Sequence, residues 1–90
     1  MKQYIDHGLE NEKWIVKKIQ DESIKQILKW GIQIHTAFEW VAYTTEELGE
    51  LAKAISEYEY RKGTKEQIVK EAVQTATLAL KIAEMFEREA

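Results

Sequence analysis

The chain has 90 residues and a formal charge of −3, from 13 Lys and Arg against 16 Asp and Glu; this predicts one small domain over residues 1–90 and argues against a nucleic-acid surface, which needs a basic excess to displace counterions. Cysteine is absent, which excludes disulfides, thiolate metal sites and cysteine nucleophiles. No apolar run approaches the ~20 residues of a membrane span and no signal-peptide core opens the sequence, so a cytoplasmic protein with no membrane partner is expected.

With no proline and four glycines, the chain has little turn punctuation, and apolar residues nowhere alternate with the period of a strand. An all-α fold of three main helices is predicted. The first runs from about Gly8 to Trp30, with Leu9, Val16, Ile19, Ile27 and Trp30 at helical spacing. Ser23 and Gln26 have capping-box spacing, so this stretch reads as one long helix or as two pieces meeting at Asp21–Ser23. Gly31 is the expected stop.

The second helix starts at a capping box, Thr36 with Glu39, and ends near Arg61, before Gly63. Thr64 and Gln67 form a further such pair, opening a third helix from Lys65 to about Arg88. Between Ala72 and Phe86 this third helix is apolar on nearly every side, and such a helix must be covered all round. Two partner helices from a short chain leave much of it bare. An antiparallel bundle, completed to four helices by a homodimer or homotetramer, is therefore expected.

Charge is uneven. From Phe38 to Glu59 there are six acids and one base, Lys53. Glu47 and Glu50 are three apart and share one helix face, a repulsive arrangement unless a cation offsets it. Glu71 and Gln74 repeat the spacing in the third helix. Two antiparallel helices would bring the pairs together as four oxygen donors, which suits Mg²⁺, a hard cation that keeps waters for a substrate's phosphates. Small residues around the pair (Gly49, Ala52, Ala54) allow close helix approach. Trp40 and Tyr43 share its face, unlike a purely solvated surface. Against this stands the ordinary role of glutamate as a helix former on a solvated face.

Glu46-Glu47-Leu48-Gly49-Glu50, continued by Leu51-Ala52-Lys53-Ala54, resembles the E-E-x-x-E motif of the MazG-type, all-α nucleoside triphosphate pyrophosphohydrolases. Glu71-Ala72-Val73-Gln74 resembles the E-x-x-D motif that follows in that superfamily. Upstream, Gln26, Lys29, Trp30, Gly31, Gln33, His35 and Trp40 fit the register of a small MazG-like branch. The resemblance spans about Ile19 to Met85.

The resemblance implies a Mg²⁺-dependent hydrolysis, with Mn²⁺ as a substitute, of a nucleoside triphosphate to the monophosphate and pyrophosphate. Glu47, Glu50 and Glu71 would be metal ligands. Glu46 would be either a ligand or the base orienting the attacking water, and Glu47 would share in the catalytic work. Gln74 departs from the family's aspartate. It would offer a neutral oxygen, and metal binding would weaken. Phosphate contacts would come from Lys29, Lys53, Lys81 or a neighbouring subunit. Trp30 reads as a stacking surface for a base or as the end of a core stripe; His35 reads as a phosphate contact or a helix cap. Two other classes of function stand beside the hydrolase: a helical interaction module that kept the fold without activity, and an assembly protein whose glutamates only solubilise it.

Overall fold

The structure, a computed structural model, describes residues 13–89. Three helices account for almost all of this span: α1 over Trp14–Trp30, α2 over Ala37–Tyr60 and α3 over Lys65–Glu89. No strand occurs among the described residues, and no helix there is long and apolar enough to cross a membrane. Helices α1 and α2 each pack on α3, the α2–α3 pairing being the more extensive, and they do not pack on each other.

Helix α1 begins later than the apolar spacing predicts. Lys13 adopts a left-handed conformation, φ 61° and ψ −3°, which a helix interior does not tolerate. The expected stretch from Gly8 to Glu12, Leu9 included, lies outside the described residues. From Trp14 onward the helix is unbroken through Asp21–Ser23, so no two pieces meet there and the Ser23–Gln26 box does not form. The Gln26 amide donates instead to Glu22 Oε2 at 3.0 Å, and the Ser23 hydroxyl accepts from Lys81 Nζ at 3.4 Å. Gly31 ends the helix as expected. Its N–H donates to the Ile27 carbonyl at 2.7 Å, at a φ of 77° that disfavours any residue with a Cβ.

Helix α2 starts on the complete predicted capping box. Thr36 Oγ1 accepts from the Glu39 N–H (3.1 Å), and Glu39 Oε1 accepts from the Thr36 N–H (2.9 Å). At its end the N–H groups of Arg61 and Gly63 both donate to the Glu57 carbonyl, at 2.9 and 3.1 Å. Gly63 serves here through its lack of a side chain. A Cβ would stand 2.8 Å from the Tyr58 backbone nitrogen and 2.9 Å from the Glu57 carbonyl carbon. Gly63→Ala is therefore expected to cost about 1–3 kcal/mol, because backbone rather than a flexible side chain must move; a denaturant titration at unchanged m-value reads this directly.

At the start of α3, Thr64 Oγ1 accepts from the Gln67 N–H at 3.1 Å. The Gln67 side chain does not close the second half of the box. It reaches one turn forward, donating to Glu71 Oε1 at 2.8 Å. Among the described residues the buried side chains are few: Trp40, Ala54, Leu78, Glu71 and Thr77. Thr77, the most deeply buried, donates its hydroxyl to the Val73 carbonyl at 2.7 Å. A hydroxyl satisfied within its own helix packs against a neighbour without needing a polar partner there.

Candidate functional site

Because α1 and α2 meet only α3, a cleft of about 570 Å³ opens between them. Its walls follow from helical periodicity. Helix α1 contributes Glu22, Lys25, Lys29 and Trp30, successive turns of one face. Helix α2 contributes Trp40, Tyr43, Glu46 and Glu47, while α3 supplies Lys70, Gln74 and Leu78 in an i, i+4, i+8 row. His35 lies at one end, from the connection between α1 and α2.

Three of the four residues expected as metal ligands meet in a single network. A Gln74 amide nitrogen donates to Glu47 Oε2 at 3.0 Å and to Glu71 Oε2 at 3.2 Å. This orientation follows from chemistry: ionised carboxylates only accept, so the amide group facing both must be the donor. Glu71, 7% exposed, also accepts from Gln67. Glu50 is exposed and acts on Glu47 through its charge. Among the described residues no three Asp, Glu or His side chains stand as a ready group around one ion. The convergent donors are two carboxylates and an amide.

The Glu47 carboxyl is pushed above its ordinary value. Burial is the largest cause; a hydrogen bond that the protonated Glu47 carboxyl donates to Glu71 follows, then the charges of Glu71, Glu50 and Glu22. The last of these was not anticipated from the sequence. Glu22 acts on the cluster from α1, and its place is set by the packing of α1 on α3.

Raising a carboxyl's folded pKa fixes the sign of its effect on stability. The Glu47 contribution is fully present below the ordinary carboxylate range and is lost as pH rises through the raised value. Glu39 works in the opposite sense. Hydrogen bonding to Thr36 lowers its pKa, so its contribution is present above the ordinary value and is lost on acidification. In the absence of divalent cations, the melting temperature of Glu47→Gln is expected to rise relative to the parent chain as pH increases from the ordinary carboxylate range toward neutrality. A constant difference across that window would show that Glu47 carries no raised pKa.

An aromatic cluster occupies the other end of the cleft. The His35 ring packs edge-to-face on Trp40 at 4.9 Å and on Tyr43 at 5.1 Å, and Trp40 and Tyr43 are 6.1 Å apart. His35 Nδ1 is 3.8 Å from Glu39 Oε2, and its Nε2 is buried with no partner among the described residues. Lys29 Nζ lies 4.9 Å over the Trp30 ring, which is 62% exposed and so is not the inner end of a core stripe. Of the lysines considered from sequence, Lys29 lines this cleft; Lys53 is not among its lining residues, and Lys81 lines a neighbouring one. Lys25 and Lys70 line it instead, beyond what the sequence analysis singled out.

Compared with known proteins, the chain matches no family model, no curated protein and no solved structure. The resemblance to the MazG-like enzymes thus rests on the motif residues themselves.

Proposed function

We propose that this chain is a Mg²⁺-dependent nucleoside triphosphate pyrophosphohydrolase of the MazG-like kind, releasing a monophosphate and pyrophosphate. The observation that carries this reading is the meeting of Glu47, Glu71 and Gln74 beside a cleft lined by Glu46 and Glu47 from α2, by Lys25 and Lys29 with Glu22 from α1 and by Lys70 from α3, and aromatic at one end. The donor set fits the ion. Mg²⁺ takes one or two carboxylates and retains waters, and turning the Gln74 amide over exchanges its donor nitrogen for an acceptor oxygen toward the same point. When bound, the cation neutralises phosphate oxygens and acidifies a coordinated water.

The chain's own residues then have separable tasks. Glu47 and Glu71, with Glu50 contributing charge, hold the cation. Glu46, on the exposed cleft wall, accepts the proton of the attacking water. Trp30 and the His35–Trp40–Tyr43 cluster offer faces and edges to a base. Lys29, whose ammonium lies over the Trp30 ring, offers a positive charge to the phosphates. No covalent nucleophile is needed, since phosphoryl transfer is chiefly positioning and charge neutralisation.

Self-association to a dimer or tetramer belongs to the same proposal. Ile32, Ile34 and Phe38 are 85%, 93% and 87% exposed, and Leu28, Leu80 and Phe86 are exposed as well. A single protomer leaves these uncovered, and a second copy completing a four-helix bundle would bury them.

A second reading has one specific observation in its favour. The Gln74 amide bridges both carboxylates, as it would in an inactive helical interaction module. Incubating the protein with Mg²⁺ and each canonical ribo- and deoxyribonucleoside triphosphate separates the two. Monophosphate plus pyrophosphate is expected; saturable Mg²⁺ binding with no turnover of any nucleotide would favour the module.

A further inference from the structure

Three lysines converge on the cleft from two helices. Lys25 and Lys29 are one turn apart on α1, and Lys70 stands one turn before Gln74 on α3. None of them makes an ion pair within 4.0 Å to a described residue. All three are exposed, with stems long enough to reach into the cleft. Across from them, α2 presents Glu46 and Glu47.

Each half of this arrangement is unfavourable alone. Like charges one helical turn apart repel, Glu22 one turn before Lys25 being the single counter-charge α1 brings to the cleft, and so do carboxylates gathered around Glu47. A bare cation would relieve only the acids, and a bare anion only the lysines. A cation-bound polyphosphate relieves both, its metal on the carboxylate side and its free oxygens on the ammonium side.

We infer that Lys25 and Lys70, together with Lys29, form the seat for the phosphate chain, placing a metal-complexed triphosphate between the α1 wall and the α2–α3 carboxylates. This rests on the proposed hydrolase reading and assigns its phosphate contacts within one protomer. It replaces Lys53, which is not among the cleft-lining residues, and Lys81, whose ammonium donates to Ser23 in the adjoining cleft. Ammonium groups suit this task as point charges that need no fixed geometry.

The test uses the full chain and inorganic triphosphate, with Mg²⁺ present, in a calorimeter. Saturable binding is expected, weakened about tenfold or more in the double variant Lys25→Gln/Lys70→Gln. Glutamine is a good helix former at both exposed positions, and circular dichroism verifies that the helices remain. Lys62→Gln/Lys65→Gln removes the same charge outside the cleft and should bind as the parent does. For any nucleotide turned over, the cleft variant should raise KM while changing kcat little, the pattern of lost uniform binding. Undiminished triphosphate binding by the cleft variant overturns the inference. So does nucleotide turnover by a parent chain that binds no triphosphate, though the hydrolase reading then survives. Triphosphate binding that is lost in the cleft variant, in a protein that turns over no nucleotide, supports the phosphate seat and removes the hydrolase reading.

Discussion

Gln74→Asp is expected to lower the melting temperature of the metal-free protein sharply and to recover most of the loss when Mg²⁺ is added. The substitution removes the amide nitrogen that donates to Glu47 and Glu71 at 3.0 and 3.2 Å. It also brings a third carboxylate against one that is 7% exposed. Stranding buried acceptors and adding a like charge costs roughly 2–4 kcal/mol, which in a domain of this size corresponds to roughly 10–30 °C. A cation inverts the balance, because three carboxylates repel one another but together bind Mg²⁺ more tightly than two carboxylates and an amide. Melting curves with EDTA and with millimolar Mg²⁺ read both effects from one sample. A fall that Mg²⁺ does not reverse would remove position 74 from the metal site and favour the inactive module. No fall at all would show that the amide bridge contributes nothing to the fold.

Glu71→Gln should separate stability from activity in the opposite direction. The new amide keeps an oxygen for the Gln74 donor, which goes on donating to Glu47, and its nitrogen faces Gln67, whose amide turns over to accept. The repulsion that helps raise the Glu47 pKa then disappears. The metal-free variant is expected to gain about 1 kcal/mol. Under the proposed hydrolase reading turnover is expected to fall about a hundredfold or more, because the cation would lose a ligand charge. Sites built to bind a charged ligand carry this conflict by necessity, and strain relieved by a single neutral substitution marks them. Turnover equal to that of the parent chain would exclude Glu71 as a ligand.

How far the sequence can be read is set by the range of each interaction. The Thr36–Glu39 box, the stop at Gly31 and the Thr64 cap involve partners within four residues, and the structure contains all three. Ser23 and Gln26 have the same local spacing as Thr36 and Glu39 yet form no cap. Ser23 meets Lys81 on another helix, and α1 continues through the site. The left-handed turn at Lys13 carries no signature in its side chain. Within the site, Glu47, Glu71 and Gln74 were legible because motif spacing fixes a helix face and a short link folds α2 back on α3. Glu22, Lys25 and Lys70 were not. Their roles depend on which face of α1 rests on α3, and a lysine on a helix reads as solvated until the opposite wall of a cleft is known.

Since α1 touches α3 and leaves α2 alone, the cleft has one wall built into the helical hairpin and one wall held from behind. The two differ in opening free energy. Helix α1 has no fully buried residue, so its amide protons are expected to exchange through local detachment at a fraction of the global unfolding cost, and those of α2 and α3 only when the hairpin separates. A ligand spanning both walls would add a tether between α1 and α2, which among the described residues do not pack on each other. Its affinity would then include the entropy of immobilising seventeen residues of helix, and rigidity in α1 would report occupancy of the cleft without any change in its mean position.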